Sequence, residues 1–217
     1  MLAFMLTVAL NSAAVTLPPV GTYRYEAFIN GKIIGKSSLT VSKTPAGTKI
    51  DESANIDLET GSSKAETSMI LDNEATVSGY QAAYTTLERT MKLAVTFDRR
   101  DAIMATGTDK QTVPLGGSSK GFVILDAALV SGFFALPAQM RAFGGGDTTV
   151  LVPGTGQSTF LSTIGGDTPV RPADVPKSDA SLSFAGEAPF VEWFDPHTLV
   201  ADEVLLPGEN LIIKQRR

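Results

Sequence analysis

Hydrophobic and polar residues alternate with a period of two along much of this chain. Residues 23–29 alternate in this way, and residues 33–41 form a second such run. Every second side chain of a β-strand lies on the same face, so each run predicts a strand with one buried face. Asn30 and Gly31 separate the runs, and this dipeptide favours a type I′ turn, because both central residues of that turn have positive φ. The pattern therefore predicts a β-hairpin.

Turn-forming residues recur along the chain at intervals of about 10–15 residues. The segments between them have the length of strands and lack a helical period, and further strand candidates follow residue 149. Short strands separated by regular turns are typical of antiparallel sheets. We therefore predict a mainly β protein built as an antiparallel meander.

One central segment breaks this rhythm. The continuous apolar run 121–125 is followed by residues 126–143, which we predict to contain one central helix. We expect Asp126 to be its N-cap, because a carboxylate there accepts hydrogen bonds from the free N–H groups of the first turn. Pro137 is expected to end or kink the helix, and Gly144–Gly146 to close the unit. The helix has apolar residues on most sides, so something must cover it.

Composition excludes several kinds of chemistry. The 217 residues include 43% apolar and 19% charged residues, one histidine and no cysteine, with a formal net charge of -5. This length and apolar content fit one domain with a core. The cysteine count excludes disulfides, thiolate metal sites and cysteine nucleophiles, and one histidine excludes imidazole clusters. The acidic balance argues against nucleic-acid binding, which needs clustered basic residues. We expect no cofactor and no metal.

The N-terminus resembles a secretory signal peptide. Residues 2–10 are apolar and small residues follow at 12–14, as signal peptidase requires, although no Lys or Arg precedes the run. The alternative is a first core strand or helix. The run is shorter than the about 20 residues that span a bilayer. We expect residues 1–14 to be a signal peptide, residues 15–217 to form one β-rich domain, and the protein to be exported to the periplasm or cell envelope without a stable membrane span.

A serine motif lies just before the central segment. Gly117–Gly121 fits the G-x-S-x-G pattern with Ser119 as the nucleophile, and His197 follows downstream, as in the triad order of an α/β-hydrolase. That fold needs alternating strands and helices, whereas here a Gly/Ser loop precedes an apolar strand. A loop is the simpler interpretation of the motif, and His197 lies in a predicted turn. A serine hydrolase that uses Ser119 and His197 is therefore the third of three functional hypotheses.

Three segments carry a resemblance to a known family: residues 23–35, Leu125–Asp126 and residues 192–196. Together they resemble exported bacterial proteins of the domain-of-unknown-function 3108 family and related envelope families, over most of residues 20–215. The resemblance implies a strongly curved antiparallel sheet, an open or half barrel, similar to that of periplasmic lipoprotein carriers. It supplies no catalytic residues.

A sheet that curls without closing has a concave apolar face, and the central helix is the element that would occupy it. The first hypothesis is a non-catalytic binding module for a lipid-like or other apolar ligand. The predicted apolar set that would line its cavity is Phe122, Leu125, Leu129, Phe133, Phe134 and Trp193. The alternative is an envelope assembly or protein-interaction protein, in which the helix only completes the core and a protein partner replaces the ligand.

Overall fold

A computed structural model of the chain describes residues 15–58, 61–87, 89–98, 100–116, 121–126, 129–164 and 170–217. The strands of the first half are β1 (Gly21–Ile29), β2 (Lys32–Thr44), β3 (Gly47–Leu58), β4 (Gly61–Leu71), β5 (Val77–Thr85), β6 (Thr90–Asp98), β7 (Asp101–Thr106) and β8 (Asp109–Pro114). The later elements are β9 (Phe122–Ile124), α1 (Ser131–Phe143), β10 (Asp147–Val152), β11 (Gln157–Thr163), β12 (Ala180–Ala185), β13 (Phe190–Phe194), β14 (Ala201–Leu206), a 3₁₀ turn (Pro207–Glu209) and β15 (Leu211–Arg216).

All these strands belong to one sheet. Its order is β8-β7-β6-β5-β4-β3-β2-β1-β15-β14-β13-β12-β11-β10-β9. Neighbouring strands are antiparallel, except that β9 and β10 are parallel. The sheet thus consists of two meanders, and the pairing of β1 with β15 joins them at the centre. The predicted mainly β fold with one helix is confirmed.

The first hairpin has the predicted geometry. Asn30 and Gly31 have φ values of 50° and 76°, which is the positive pair that a type I′ turn needs. β1 and β2 leave this turn in antiparallel register, with one irregularity between Ala27 and Phe28. The alternation of residues 23–29 therefore predicted both the strand and its turn.

The sheet curves until its two ends overlap, but it does not close. β8 contacts β11, and β5 contacts β9. The Gln111 side chain donates to the Gly156 carbonyl oxygen at 3.0 Å, and the Ser158 hydroxyl donates to the Pro114 carbonyl oxygen at 2.8 Å. Side chains rather than a backbone ladder join β8 to this part of the sheet in the described residues. The expected strongly curved, open sheet is confirmed.

Helix α1 fills the space that the curved sheet encloses. Its first ten residues, from Ser131 to Met140, are all buried, and it contacts β3, β9 and β14. Gly144 ends the helix with φ 75° and donates its N–H to the Met140 carbonyl oxygen, as predicted for the glycine that follows a helix. We call the sheet face that points to α1 the inner face, and the opposite one the outer face.

The expected start of the helix was wrong. The helix begins at Ser131, after a stretch that follows β9, and not at Asp126. It continues through Pro137 to Phe143, so the proline does not end it, and a kink there stays a prediction. The packing of this helix on all sides holds it together past the proline, whose local effect a sequence pattern alone overestimates. Within the described ranges, no helix combines the length and the apolar character needed to cross a bilayer.

Candidate functional site

The N-terminus of α1 is held by a buried carboxylate from the sheet. Glu52, on the inner face of β3, accepts the Ser131 N–H at 2.8 Å and the Val130 N–H at 3.0 and 3.1 Å. The Ser131 hydroxyl lies 3.2 Å from that of Thr67, on β4. Burial raises the pKa of Glu52, and the hydrogen bonds from Val130 and Ser131 partly offset this rise. Glu52 therefore replaces the missing side-chain cap at the positive end of the helix dipole.

Asp126 is not the N-cap, because Val130 occupies that position, and Val130 makes no side-chain capping bond. The carboxylate of Asp126 instead accepts hydrogen bonds from two tyrosines of β5. The Tyr80 hydroxyl lies 3.1 Å from Oδ2, and the Tyr84 hydroxyl donates to the same oxygen. Burial and then the negative charge of Asp126 raise the pKa of Tyr80. Asp126 thus ties the segment after β9 to the inner face of the sheet.

A second carboxyl group lies in the interior beside the helix. Glu192, on β13, is fully buried, and neither of its oxygens has a hydrogen-bond partner in the part of the chain that the structure describes. Its neighbours across the strands are Leu182 and Val204. Burial raises the pKa of Glu192 well above its ordinary value. Burial without a partner therefore favours the protonated form of this carboxyl group.

The chain's own side chains surround most of the predicted apolar set. Phe133 packs edge-on against Phe190 with ring centroids 5.3 Å apart, and Phe134 lies 4.9 Å from the Tyr23 ring. Phe122 lies 4.6 Å from Phe97 by the same measure. Leu129 is buried, and Leu125 is half-buried. These residues belong to the hydrophobic core inside the curved sheet, and a ligand bound among them remains a prediction.

Trp193 does not lie with the rest of this set. Trp193 on β13 lies directly opposite Glu203 on β14. The same row continues through Lys214 on β15 to Glu26 on β1. These four positions share the outer face, where Lys214 binds Asp174 at 2.6 Å and Glu203 at 3.1 Å. The segment around Asp174 therefore crosses this face, and Trp193 is fully buried on that side. Trp193 thus lies on the face opposite to α1, and its role in ligand binding stays a prediction.

The outer face of β2–β7 carries a groove of about 820 Å³, lined by both polar and apolar residues. We call this the outer groove. Two rows of directly paired residues cross its floor from strand to strand. One row is Ser38, Ser53, Glu66, Ala83 and Lys92, and the other is Thr40, Asp51, Ser68, Gln81, Ala94 and Ala105. A twisted sheet is saddle-shaped, so a face that is convex in one direction is concave in another.

Short side chains keep the outer groove open. Serine and alanine alternate on its floor with the longer groups of Glu66, Gln81 and Lys92, which supply hydrogen-bonding and charged atoms. The neighbouring residues that point inward, such as Leu93, are buried. The long strands β2, β3 and β4 hold each floor residue in a fixed register. The groove is therefore a rigid, water-accessible surface with many hydrogen-bonding groups.

A carboxyl pair lies in a smaller cleft of about 450 Å³ near the start of β14. Asp179 and Asp202 line it together with Arg217, whose Nη2 lies 2.8 Å from both oxygens of Asp202. Burial, followed by the hydrogen bond to Asp202 and the charge of that group, raises the pKa of Asp179 to about 7. Two carboxyls this close do not both ionise readily, so the pair holds one proton below neutral pH.

This pair should make stability depend on pH near neutrality. The pKa of Asp179 is about 7 in the fold, against an ordinary value of 3.8, so the folded protein holds this proton more tightly than the unfolded chain does. The stabilising contribution of Asp179 to the free energy of unfolding is therefore fully present below about pH 3.8 and is lost as the pH rises through about 7. Asp179→Asn keeps a donor for Asp202 and cannot ionise. We expect urea unfolding to show the variant about 1–3 kcal/mol more stable than the parent at about pH 8, and much less so at about pH 5.

Asp109→Asn is the matched control for this variant, because Asp109 is exposed at the start of β8. It should leave the pH profile of the parent unchanged. Equal pH slopes for the parent and Asp179→Asn would show that Asp179 is already ionised in the fold.

Of the two residues that the hydrolase hypothesis needs, the described part of the chain includes only His197. His197 is exposed in the turn after β13, where its backbone N–H, not its imidazole ring, donates to Asp195 Oδ1 at 2.7 Å. Ser119 lies outside the described residues, so its pairing with His197 stays a prediction. The described part of the chain contains no group of three or more acidic, histidine or cysteine side chains placed to hold a metal ion.

Comparison with solved structures identifies a similar fold. A DUF1089 family protein from Pseudomonas aeruginosa matches with a TM-score of 0.54 and 12% sequence identity, over 80% of this chain and 90% of that one. The two chains share a fold. A scan of protein-family models and a search of curated proteins give no match. The likeness is one of fold, and the resemblance to the DUF3108 family stays a prediction.

Sequence reasoning missed the residues of the buried polar sites, although the signal was present. Glu52 is flanked at two-residue spacing by Ile50 and Ala54, which are buried. Glu192 stands in the same way between Phe190 and Phe194. A charged residue at an inward position of an alternating strand indicates a buried polar contact or a perturbed group.

Proposed function

We propose that this protein is an exported, non-catalytic binding module whose ligand occupies the outer groove. The observation that carries the proposal is the contrast between the two faces of the sheet. The inner face is covered by α1 and by packed aromatic rings, whereas the outer face of β2–β7 holds an open volume of about 820 Å³. A preformed groove with few long side chains costs little to fill, because little has to be ordered when a ligand binds.

The longer side chains of the outer groove favour a small ligand with hydrogen-bonding groups. These side chains end in carboxylate, amide and ammonium groups, the alanines between them are small, and no aromatic ring lines the groove among the described residues. An apolar ligand gains from leaving water only where it meets apolar surface. The interior has that surface, but an apolar ligand there would have to displace α1 from Phe190, Tyr23 and their neighbours.

The test is an NMR titration of the isotope-labelled protein with polyols, sugars and amino acids, and with dodecanoate as the apolar probe. We expect the polar probes to shift amide signals of β3–β6, and we expect dodecanoate to leave the signals of α1 unchanged. Ser53→Tyr should abolish these shifts, because Ser53 is exposed on the groove floor and tyrosine suits a strand while filling the groove.

Thr90→Tyr is the matched control, since Thr90 is exposed on β6 outside the groove lining. It should bind the polar probes as the parent does. Dodecanoate binding that shifts signals of α1 and survives Ser53→Tyr would overturn the proposal and return the site to the interior.

The second candidate is an assembly role in the cell envelope, with a protein as the partner. It is favoured by two exposed apolar side chains, one in the middle of β11 and one just after it: Phe160 is 58% exposed and Ile164 is 54% exposed. Exposed apolar surface marks many protein contacts. Crosslinking in cells separates the two candidates, because recovery of one reproducible protein partner without a small ligand supports the assembly role.

A further inference from the structure

The outer groove ends at a pair of arginines. Arg24 is directly opposite Ser38 on β2 and directly opposite Arg216 on β15. It therefore continues the row of Ser38 and Ser53 by two more strands, on the same outer face. Paired strands are about 4.8 Å apart, so Arg24 lies one strand, and Arg216 two strands, beyond the edge of the groove floor.

The positive charge at this end exceeds what the neighbouring carboxylate neutralises. Glu26 lies 3.0 Å from Arg216 Nε and 3.7 Å from Lys36 Nζ. Arg24 is exposed and forms no ion pair with any described residue. Two cations thus share one carboxylate, and Arg24 adds a third positive charge two residues away on the same face of β1. Like charges directly opposite each other on paired strands destabilise a sheet, so an anion placed between Arg24 and Arg216 would remove a repulsion as well as form new contacts.

The same residues line a cleft that can hold such an anion. Arg24, Glu26 and Arg216 border an open volume of about 470 Å³, next to Phe28 and Lys214. A guanidinium group presents its N–H donors in a planar fork, which matches the oxygens of a phosphate or a carboxylate. Lys214 is already engaged by Asp174 and Glu203. Arg216 contacts Glu26 through Nε, so its terminal N–H groups, together with the whole guanidinium group of Arg24, are the donors available to the anion.

We propose that Arg24 and Arg216 bind the anionic group of the ligand of the outer groove, so that this ligand is a small, hydroxyl-bearing organic phosphate or a molecule of the same chemistry. The inference rests on the proposed function, because it assumes that the rest of the ligand lies along the groove. With the anion between the arginines, a body of a few carbon atoms reaches Ser38 and extends towards Ser53.

Glycerol 3-phosphate, glycerol and inorganic phosphate are the probes that separate the two parts of the site. We expect isothermal titration calorimetry at low salt to give the tightest binding for glycerol 3-phosphate, weaker binding for inorganic phosphate and the weakest for glycerol. Affinity for the two phosphates should fall as salt is raised, and affinity for glycerol should not.

Arg24→Gln should lower the affinity for glycerol 3-phosphate at least about tenfold, because it removes a charge-assisted, forked contact to the phosphate. Arg216→Gln should have a similar effect. Arg100→Gln is the control, since Arg100 is exposed in the turn between β6 and β7 and should leave binding unchanged. Thermal unfolding of each variant establishes that it is folded.

The outcomes distinguish this inference from the proposed function. If Ser53→Tyr weakens glycerol 3-phosphate binding while Arg24→Gln and Arg216→Gln do not, the groove is correct and the anion site is overturned. If the arginine variants lose binding and Ser53→Tyr does not, the anion site stands and the groove is wrong. Absence of phosphate binding at millimolar concentrations, or binding only to phosphatidylglycerol vesicles and not to glycerol 3-phosphate, overturns the inference.

Discussion

Gly132→Ala should destabilise the fold by about 3 kcal/mol or more, because the added methyl group has no space. A Cβ at this position would lie 2.1 Å from the Ile124 carbonyl oxygen and 3.1 Å from Leu125 Cδ2. The nearest of these atoms belongs to the backbone of β9, so it cannot rotate away. The second residue of α1 would have to move off the sheet, and the bonds of its neighbours to Glu52 would lengthen. Urea unfolding followed by circular dichroism measures the loss.

Gly79→Ala is the control for this substitution. Gly79 lies in β5, and nothing stands within 4 Å of the Cβ that alanine would add. It should change the free energy of unfolding by no more than about 0.5 kcal/mol. Equal effects of the two alanines would show that the close approach of α1 to β9 is not tight.

Glu52→Ala should cost about 3 kcal/mol or more, since it leaves buried backbone donors without an acceptor. The N–H groups of Val130 and Ser131 both bond to this one carboxylate, and both residues are buried. Glu52→Gln should lose less, because its amide oxygen still accepts one of these hydrogen bonds while its NH₂ group faces the other donor. Chemical unfolding of the three proteins gives the ranking.

Asp51→Ala is the matched control for Glu52→Ala, because the adjacent residue on β3 points to the outer face and pairs with Lys49 at 2.8 Å. An exposed pair of this kind contributes about 0–1 kcal/mol. If Glu52→Ala were no more harmful than Asp51→Ala, then water or another group would be capping the helix in solution.

The strands of the sheet could be predicted because each strand and each turn depends on residues that are close together in the sequence. Each strand has its own period of two, and turns such as Asn30-Gly31 fix the connection to the next strand. The predicted hairpin therefore agrees with the structure. Which strands pair across the centre is different, because the contact between β1 and β15 depends on residues far apart in the chain.

The start of the helix could not be predicted in the same way. Asp126 has the residue type of an N-cap, but its carboxylate has two better partners, Tyr80 and Tyr84, on a distant strand. Glu52 then supplies the acceptor that the helix needs. Local capping rules consider only neighbours in sequence. Here tertiary contacts give Glu52, and not Asp126, the role of acceptor at the start of the helix.

Trp193 shows what the alternating pattern gives when it is combined with one tertiary contact. Phe190 contacts Phe133 of the helix, so alternation along β13 places Glu192 on the inner face and Trp193 on the outer face. The first hypothesis grouped Trp193 with the other apolar residues on its hydrophobic character alone. The outer groove was not predicted either, because its floor of serine, alanine and threonine becomes a surface only when six strands align.

The central pairing of β1 with β15 has a consequence for how the molecule is made on the ribosome. Almost all of the described chain lies between these two partners. The early meander can form while translation continues, but its β1 edge stays open until the final strand emerges, and closing so long a loop carries a high entropic cost. We expect this exposed edge to make the nascent chain a client of chaperones, with joining of the two halves as the slow, late event.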